Sequence, residues 1–141
     1  MRKSIYIPLI VLLVGLAALS CSRKDDDELP ARVGDLQVFF VISDQFGLLP
    51  DTSNIPVLVN LYADTAHSVL VRSEAVTAVN HLTKTVTIES MEPTFFYMSI
   101  QINEPGLPPP CEDTRVFVQQ NQVTQTDMIE MEVRANEIRC R

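Results

Sequence analysis

The feature that most restricts the fold is an alternation of apolar and other side chains with a period of two residues, which begins at Val33. In the segment DLQVFFVI, one face carries Leu36, Val38, Phe40 and Ile42. Successive side chains of a strand point to opposite faces, so this pattern predicts β-strands that bury one face in a core. Beyond the N-terminal apolar run, no segment shows the period of an amphipathic helix.

About seven short strands are predicted, separated by turn-forming residues. Their sequences are DLQVFFVI, VLVNLY, SEAVTAV, TKTVTIES, FFYMSIQI, RVFVQQ and DMIEMEVRA, with a short apolar piece at residues 69–71. The first has apolar residues on both faces, so we expect a central strand that is covered on both sides. Residues 43–56 and 103–113 are rich in turn formers and are predicted loops. The pattern predicts an all-β domain, a single antiparallel β-sandwich, at residues 33–141.

Residues 1–20 have the layout of a signal peptide. A positively charged start is followed by an apolar run that ends at Leu19. At about 1.5 Å per residue this run is too short to cross a bilayer core of about 30 Å comfortably. Its end, ALSC, resembles a bacterial lipobox, although Ala18 stands where the lipobox usually has leucine. We therefore predict cleavage before Cys21 and lipid attachment at Cys21.

Two other interpretations of the leader remain open. One is an ordinary secreted protein that is cut after Ala18 or Ser20, and the other is an uncleaved membrane anchor in which Cys21 is incidental. Lipidation would place a diacylglycerol on the cysteine and a further acyl chain, such as palmitate, on its amine. At about 0.8 kcal/mol per buried methylene, two or three such chains hold a protein on a membrane essentially permanently.

Residues 21–32 are predicted to be a charged tether. The run SRKDDDE contains no apolar side chain, so it cannot bury surface and should stay extended. Lys24, Asp25 and Asp26 resemble an export signal of some Gram-negative bacteria, which send lipoproteins to the outer face of the outer membrane. The resemblance implies an outer-membrane lipoprotein that faces the cell surface. A charged linker that faces the periplasm is the alternative.

Cys111 and Cys140 are the other two cysteines. In an oxidising envelope two such residues usually pair, so we predict a disulfide between them. It would close a loop of about 30 residues and contribute about 3–4 kcal/mol in the chain-entropy model. The competing hypothesis, a nucleophilic Cys111, needs a base, and nothing in the sequence places a histidine near it.

Part of the strand pattern resembles a more specific family, the transthyretin-like or carboxypeptidase-regulatory-like sandwich domains of bacterial surface proteins. The matching residues are Asp44, Gly47, Val57, Val59, Leu61, Tyr62, Ile88, Met91, Pro93, Phe96 and Tyr97. The segment NHLTK lacks the glycine usual in that hairpin, and Thr94 replaces another glycine. The resemblance implies an immunoglobulin-like or transthyretin-like sandwich without an active site, which serves as a spacer, an adhesion unit or an accessory binding domain.

Composition and motifs argue against several function classes. The formal net charge is −7, and loss of Arg2 and Lys3 with the leader takes it to −9, which would repel a phosphate backbone. We therefore expect no nucleic-acid partner. With four glycines and no phosphate-binding motif, no cofactor is predicted. His67 and His81 lack neighbours at ligand spacing, so no metal site is predicted either.

Two short features could contact or carry sugars. The tripeptide DTA resembles a sugar-attachment motif of some envelope proteins, which makes Thr65 a candidate glycosylation site. Phe95, Phe96 and Tyr97 could place an aromatic ring on the surface for stacking against a glycan. Ordinary strand packing also explains these aromatic residues, because strands are enriched in them.

The sequence thus predicts a lipid-anchored envelope protein that acts as a non-catalytic binding, adhesion or assembly module, with no catalytic residues. Its ligand would be a protein or a glycan, bound by the two long loops. The alternative is a small envelope enzyme or enzyme inhibitor with a site assembled from strand side chains. A pocket with clustered carboxylates and a histidine would favour the alternative, whereas an exposed apolar patch would favour the binding module.

Overall fold

The computed structural model describes residues 32–107 and 111–141. The predicted signal peptide, Cys21 and the tether as far as residue 31 lie outside the described residues. The described part is all-β, with eight strands and no helix. No helix in this part is long and apolar enough to cross a membrane. The residues from Arg32 to Arg141 form one compact unit.

The strands follow one another along the chain with short connections except for two long loops. Their bounds are β1 Gly34–Ser43, β2 Ile55–Tyr62, β3 Leu70–Ala78, β4 Thr83–Met91, β5 Phe95–Ile102, β6 Cys111–Phe117, β7 Val123–Val133 and β8 Ile138–Cys140. They form two four-stranded sheets, with strand orders β4-β1-β7-β8 and β3-β2-β5-β6. All neighbours are antiparallel except β1 and β7, which are parallel. The predicted all-β sandwich is confirmed.

The core lies between the two sheets and is built from the alternating residues that the sequence indicates. Leu36, Val38, Phe40 and Ile42 of β1 are completely buried. Opposite them lie residues of β2 and β5, including Val59. The central position of β1 is confirmed, because the strand lies between β4 and β7. Its other face is only half-buried, so the expectation of cover on both sides is wrong.

Several strand bounds differ from the sequence prediction; β7, for example, begins at Val123, four residues earlier than predicted. The apolar piece at residues 69–71 and the segment SEAVTAV together give one strand, β3. It has few buried residues because it is an edge strand, which weakens its period-two signal. The predicted loop 103–113 is too long at its C-terminal end, because β6 begins at Cys111. β8 has only three residues, too few to show an alternation.

Strand directions define two ends of the sandwich. β1 starts at one end with Gly34, where the turn between β6 and β7 also lies. A Cβ atom on Gly34 would overlap the backbone carbonyl oxygen of Gln119, so this close approach requires glycine. The other end carries both long loops and the turn between β3 and β4. We call it the loop end.

Candidate functional site

The two long loops that the sequence singles out for recognition lie at the same end of the domain. The first connects β1 to β2, and the second connects β5 to β6. The antiparallel pairing of β2 with β5 brings the two loops together. The backbone N–H of Asn103 donates to the carbonyl oxygen of Pro56 at 2.8 Å, which joins the bases of the loops.

Asp44 organises the β1–β2 loop from inside. It follows directly on β1, and only 5% of its surface is exposed. Its Oδ1 accepts a hydrogen bond from the backbone N–H of Leu48 at 3.0 Å, and its Oδ2 accepts one from that of Leu49 at 2.8 Å. Gly47 takes the left-handed conformation, with φ 65°, which the turn between these residues requires. A carboxylate therefore closes the loop on itself.

Asn80 fixes the loop to the turn between β3 and β4. Its side-chain carbonyl oxygen accepts from the backbone N–H of Asp44 at 2.8 Å, and its Nδ2 donates to the carbonyl oxygen of Asp44 at 3.2 Å. Its own backbone N–H donates to the carbonyl oxygen of Thr52 at 2.8 Å. One asparagine thus holds both ends of the loop, and Asp44 and Asn80 together form what we call the Asp–Asn clasp.

His81, the residue after Asn80, lies in the turn between β3 and β4, which contains no glycine. His81 adopts a left-handed conformation, with φ 61°, which glycine adopts more readily than other residues. Its backbone N–H donates to the carbonyl oxygen of Ile42, the penultimate residue of β1, at 2.8 Å. A positive φ costs energy in a non-glycine residue, and the surrounding hydrogen bonds offset that cost.

Four apolar side chains project from this rigid end into solvent. Phe46 is 66% exposed, Leu82 60%, Val79 40% and Leu48 39%. All four lie within four residues of Asp44 or Asn80 along the chain. We call them the apolar tip. They form the exposed apolar feature that the sequence argument associates with a binding module.

The carboxyl group of Asp44 stays ionised to a lower pH than an ordinary aspartate. Burial raises its pKa, but the backbone N–H groups of Leu49 and Leu48 lower it, as do those of Phe46 and Gly47, and the net effect is a lowered pKa. The carboxylate form is the one that accepts these hydrogen bonds. Ionisation of Asp44 therefore favours the hydrogen bonds from Leu48 and Leu49, whereas those of Asn80 go to the Asp44 backbone.

Cys111 and Cys140 are joined by a disulfide in the structure, with Cα atoms 5.9 Å apart. Cys111 opens β6 and Cys140 closes β8, so the bridge links the edge strands of the two sheets. This position makes it a structural link at the open side of the sandwich. It lies away from both histidines, which flank β3 at its two ends.

The other predicted site residues are dispersed. Thr65 is exposed in the loop between β2 and β3, at the end opposite the apolar tip. His67 lies in the same loop and packs edge-on against Tyr62, with ring centroids 4.9 Å apart. Since His81 is at the loop end, the two histidines lie at opposite ends of the domain. Within residues 32–107 and 111–141, no group of three His, Cys, Asp or Glu side chains could hold a metal ion.

The three consecutive aromatic residues have different environments. Phe96 is buried in the core, Tyr97 is half-buried and Phe95 is 46% exposed. The ring of Phe95 packs against Phe117 with centroids 4.7 Å apart, and the guanidinium of Arg115 lies 3.8 Å above it. Phe117 and Arg115 thus cover part of the Phe95 ring, and Phe117 itself remains 44% exposed.

Comparisons with known proteins leave the family open. No family model and no curated protein matches the chain. Among solved structures, the chain is similar to the T6SS lipoprotein TssJ1 from Pseudomonas aeruginosa, with a TM-score of 0.36 and 8% sequence identity. The match covers 77% of this chain and 97% of that chain. A likeness this weak adds nothing to the fold that the coordinates show directly.

Proposed function

We propose that this protein is a non-catalytic binding module of the bacterial envelope, which binds a folded partner protein through the apolar tip. The observation that carries the proposal is the exposure of Phe46 and Leu82 on loops that hydrogen bonds hold in place. Exposed apolar groups grouped on a soluble domain are a frequent mark of protein interfaces. The finer family hypothesis, a transthyretin-like domain, belongs to the same proposal.

A protein partner fits the chemistry of the tip better than a glycan does. Leucine and valine side chains offer no hydrogen bonds to sugar hydroxyl groups, but they fill apolar pockets well. Phe46 is an exposed aromatic residue, a type that is enriched in protein–protein interfaces. Because the Asp–Asn clasp already orders the loop, little conformational entropy is lost on binding.

The proposed lipid anchor is compatible with binding through the apolar tip. A lipid on Cys21 and a tether through residue 32 would lead into β1 at Gly34, which is the end opposite the apolar tip. We propose an outer-membrane location, with the domain displayed at the cell surface.

We expect substitutions in the apolar tip to weaken partner binding without unfolding the domain. Phe46→Ser and Leu82→Ser should each weaken binding about tenfold or more, because a hot-spot side chain contributes more than about 1.4 kcal/mol. Leu70→Ser is a matched control, since Leu70 is 54% exposed but lies at the opposite end. Its binding and melting temperature should stay near wild type.

The partner is captured by a photo-crosslinking amino acid at position 46 in cells of the native host, with the same amino acid at position 87 on β4 as the control site. One partner that crosslinks from position 46 alone, and whose affinity then drops in the two tip variants, supports the proposal. Equal crosslinking from both positions, or unchanged affinity in both tip variants, would show that the tip is not the interface.

The anchor is tested separately by the mass and location of the protein. In a Gram-negative host we expect the mature protein to begin at Cys21 with two or three acyl chains, and Cys21→Ala to be unacylated and released from membranes. Protease treatment of whole cells should remove the domain if it is displayed. A lipid-free wild-type protein cut elsewhere would overturn the anchor hypothesis while leaving the binding of the tip intact.

A further inference from the structure

One long side of the sandwich is open below the disulfide. β8 and Arg141 pair with residues 130–133 of β7, so the first half of β7 has β1 as its partner on one side and no strand of the described chain on the other. β6, the edge of the second sheet, likewise pairs only with β5. Between these two edges runs a groove of about 510 Å³. We call it the seam.

The walls of the seam are strand edges. It is lined by consecutive residues, 114–117 of β6 and 124–129 of β7, and Cys140 and Arg141 close its upper end. Side chains of one sheet face would line a groove with every second residue, so a run of consecutive residues means that backbone lines it too. Strand edges carry the N–H and C=O groups that pair with a further strand.

The interior of the seam is suited to contact with a strand. Thr114, Thr124 and Thr126 are half-buried there, where a closed sandwich would have core residues, and Val116 and Ile129 provide apolar surface. Two of the threonine hydroxyl oxygens already have partners in the domain: Thr124 accepts from the backbone N–H of Gln119 at 3.0 Å, and Thr126 accepts from that of Phe39 at 3.2 Å. The same β-branched side chains pack well against the side chains of an added strand.

The chain itself shows that this edge of β7 accepts a strand. β8 lies antiparallel on the edge, and Glu130 and Arg141 continue the pairing with two reciprocal backbone hydrogen bonds of 3.0 and 3.1 Å. The positions directly below, residues 124–129, lie on the same edge. A register shift against β1 near Thr126 interrupts the strand there, so an added strand pairs in short stretches on each side of it.

The opposite open edge is different. On β3, Arg72 and Glu74 lie at positions paired with the core-facing residues Leu61 and Val59, and they form an ion pair of 2.9 Å. Charges that point inward at an edge prevent the addition of a strand. The core-facing residues of the seam are threonines and aliphatic residues instead, so the seam lacks this protection.

We propose that the seam is a docking site for an extended peptide segment of a partner protein, which adds to the edge of β7 in line with β8. Main-chain hydrogen bonds would supply the affinity, and small or β-branched side chains at every second position would face the three threonines. The site is separate from the apolar tip, and its occupation does not depend on the function proposed for the tip.

The proposal is tested with a defined probe strand that is attached to the full chain after Arg141. A tail of about six alternating Thr and Val residues matches the length of the open edge, and attachment gives it an effective concentration in the millimolar range. The control tail has proline in place of each valine, because proline cannot complete a ladder. Hydrogen exchange of the backbone amides of residues 124–129 is the measurement.

We expect the Thr-Val tail to slow exchange at least tenfold for those amides of residues 124–129 that point away from β1 to the open edge, and the proline tail to leave their exchange unchanged. A second arm introduces Thr114→Arg, which fills the seam and removes no hydrogen bond seen among the described residues, with Thr87→Arg on β4 as its matched control. Protection lost with the first variant and kept with the second supports docking in the seam. Equal exchange with both tails, or protection that survives Thr114→Arg, would overturn it.

Discussion

Replacing both Cys111 and Cys140 by alanine should lower the free energy of unfolding by about 3–4 kcal/mol. The disulfide closes a loop with a sequence separation of 29, and the chain-entropy model assigns a stabilisation of that size to such a loop. Small domains have only about 5–15 kcal/mol of stability in total, so the loss is a large share. Urea denaturation, with the midpoint and slope both fitted, measures it.

The structure also predicts which strand becomes less stable first when the disulfide is removed. β8 has three residues in its ladder with β7, and the disulfide is its covalent link to the second sheet. Without the bridge, the amides of β8 should exchange faster than those of β1, which lies between two long strands. Cys21→Ala keeps both bridge cysteines and serves as the control. A double variant that loses less than about 1 kcal/mol, or a control that loses as much, would contradict the role assigned to this disulfide.

The central strands could be predicted because their signal is local. Leu36, Val38 and Phe40 recur at every second position within a largely apolar run, and all three are buried. The edges could not be predicted equally well. Most of β3 is exposed on both faces, and in β7 the pattern becomes regular only from Ile129 onward, since the earlier residues line the open seam. A strand without a buried face shows little periodicity, whatever its pairing.

The candidate site was only partly accessible from the sequence. Asp44 and Gly47 indicate a turn, and their spacing predicts the loop correctly. The partner Asn80 lies 36 residues away, and nothing in its neighbourhood indicates contact with Asp44. The grouping of Phe46 with Leu82 follows from that long-range pairing. The apolar tip therefore depends on a long-range contact between the β1–β2 loop and the β3–β4 turn, which no local sequence pattern indicates.

Removing the carboxylate of the clasp should destabilise the loop end strongly. We expect Asp44→Ala to lower the free energy of unfolding by about 1–3 kcal/mol at pH 7, because the N–H groups of Leu48 and Leu49 lose their acceptor and an unpaired buried donor, as at Leu49, costs that much. The β1–β2 loop should then exchange its amides rapidly. If the apolar tip is the interface, partner binding should weaken as well, because the loop is no longer ordered in advance.

Asp64→Ala is the matched control for this prediction. Asp64 accepts backbone hydrogen bonds from Ser68 at 3.0 Å and Val69 at 2.9 Å in an exposed loop at the opposite end. The number of backbone donors is the same, but water can replace the lost acceptor there. Its stability loss should therefore be clearly smaller. Equal losses of stability in the two variants would show that the burial of Asp44 adds nothing to the cost of removing its carboxylate.

The effect of Asp44 should also depend on pH in a defined direction. Its pKa is lowered in the folded state, against about 3.9 for an unfolded aspartate, so its contribution is complete above that value and declines as the pH falls below it. Below the folded-state pKa the ionic contribution is lost. Asp51 and Asp64 also have lowered pKa values. Wild type and Asp44→Ala both contain these two residues, so their contributions to stability cancel when the two proteins are compared. The stability difference between wild type and Asp44→Ala, measured by urea denaturation, should therefore be smaller at pH 3 than at pH 7, and a difference that grows in acid would contradict a charged clasp.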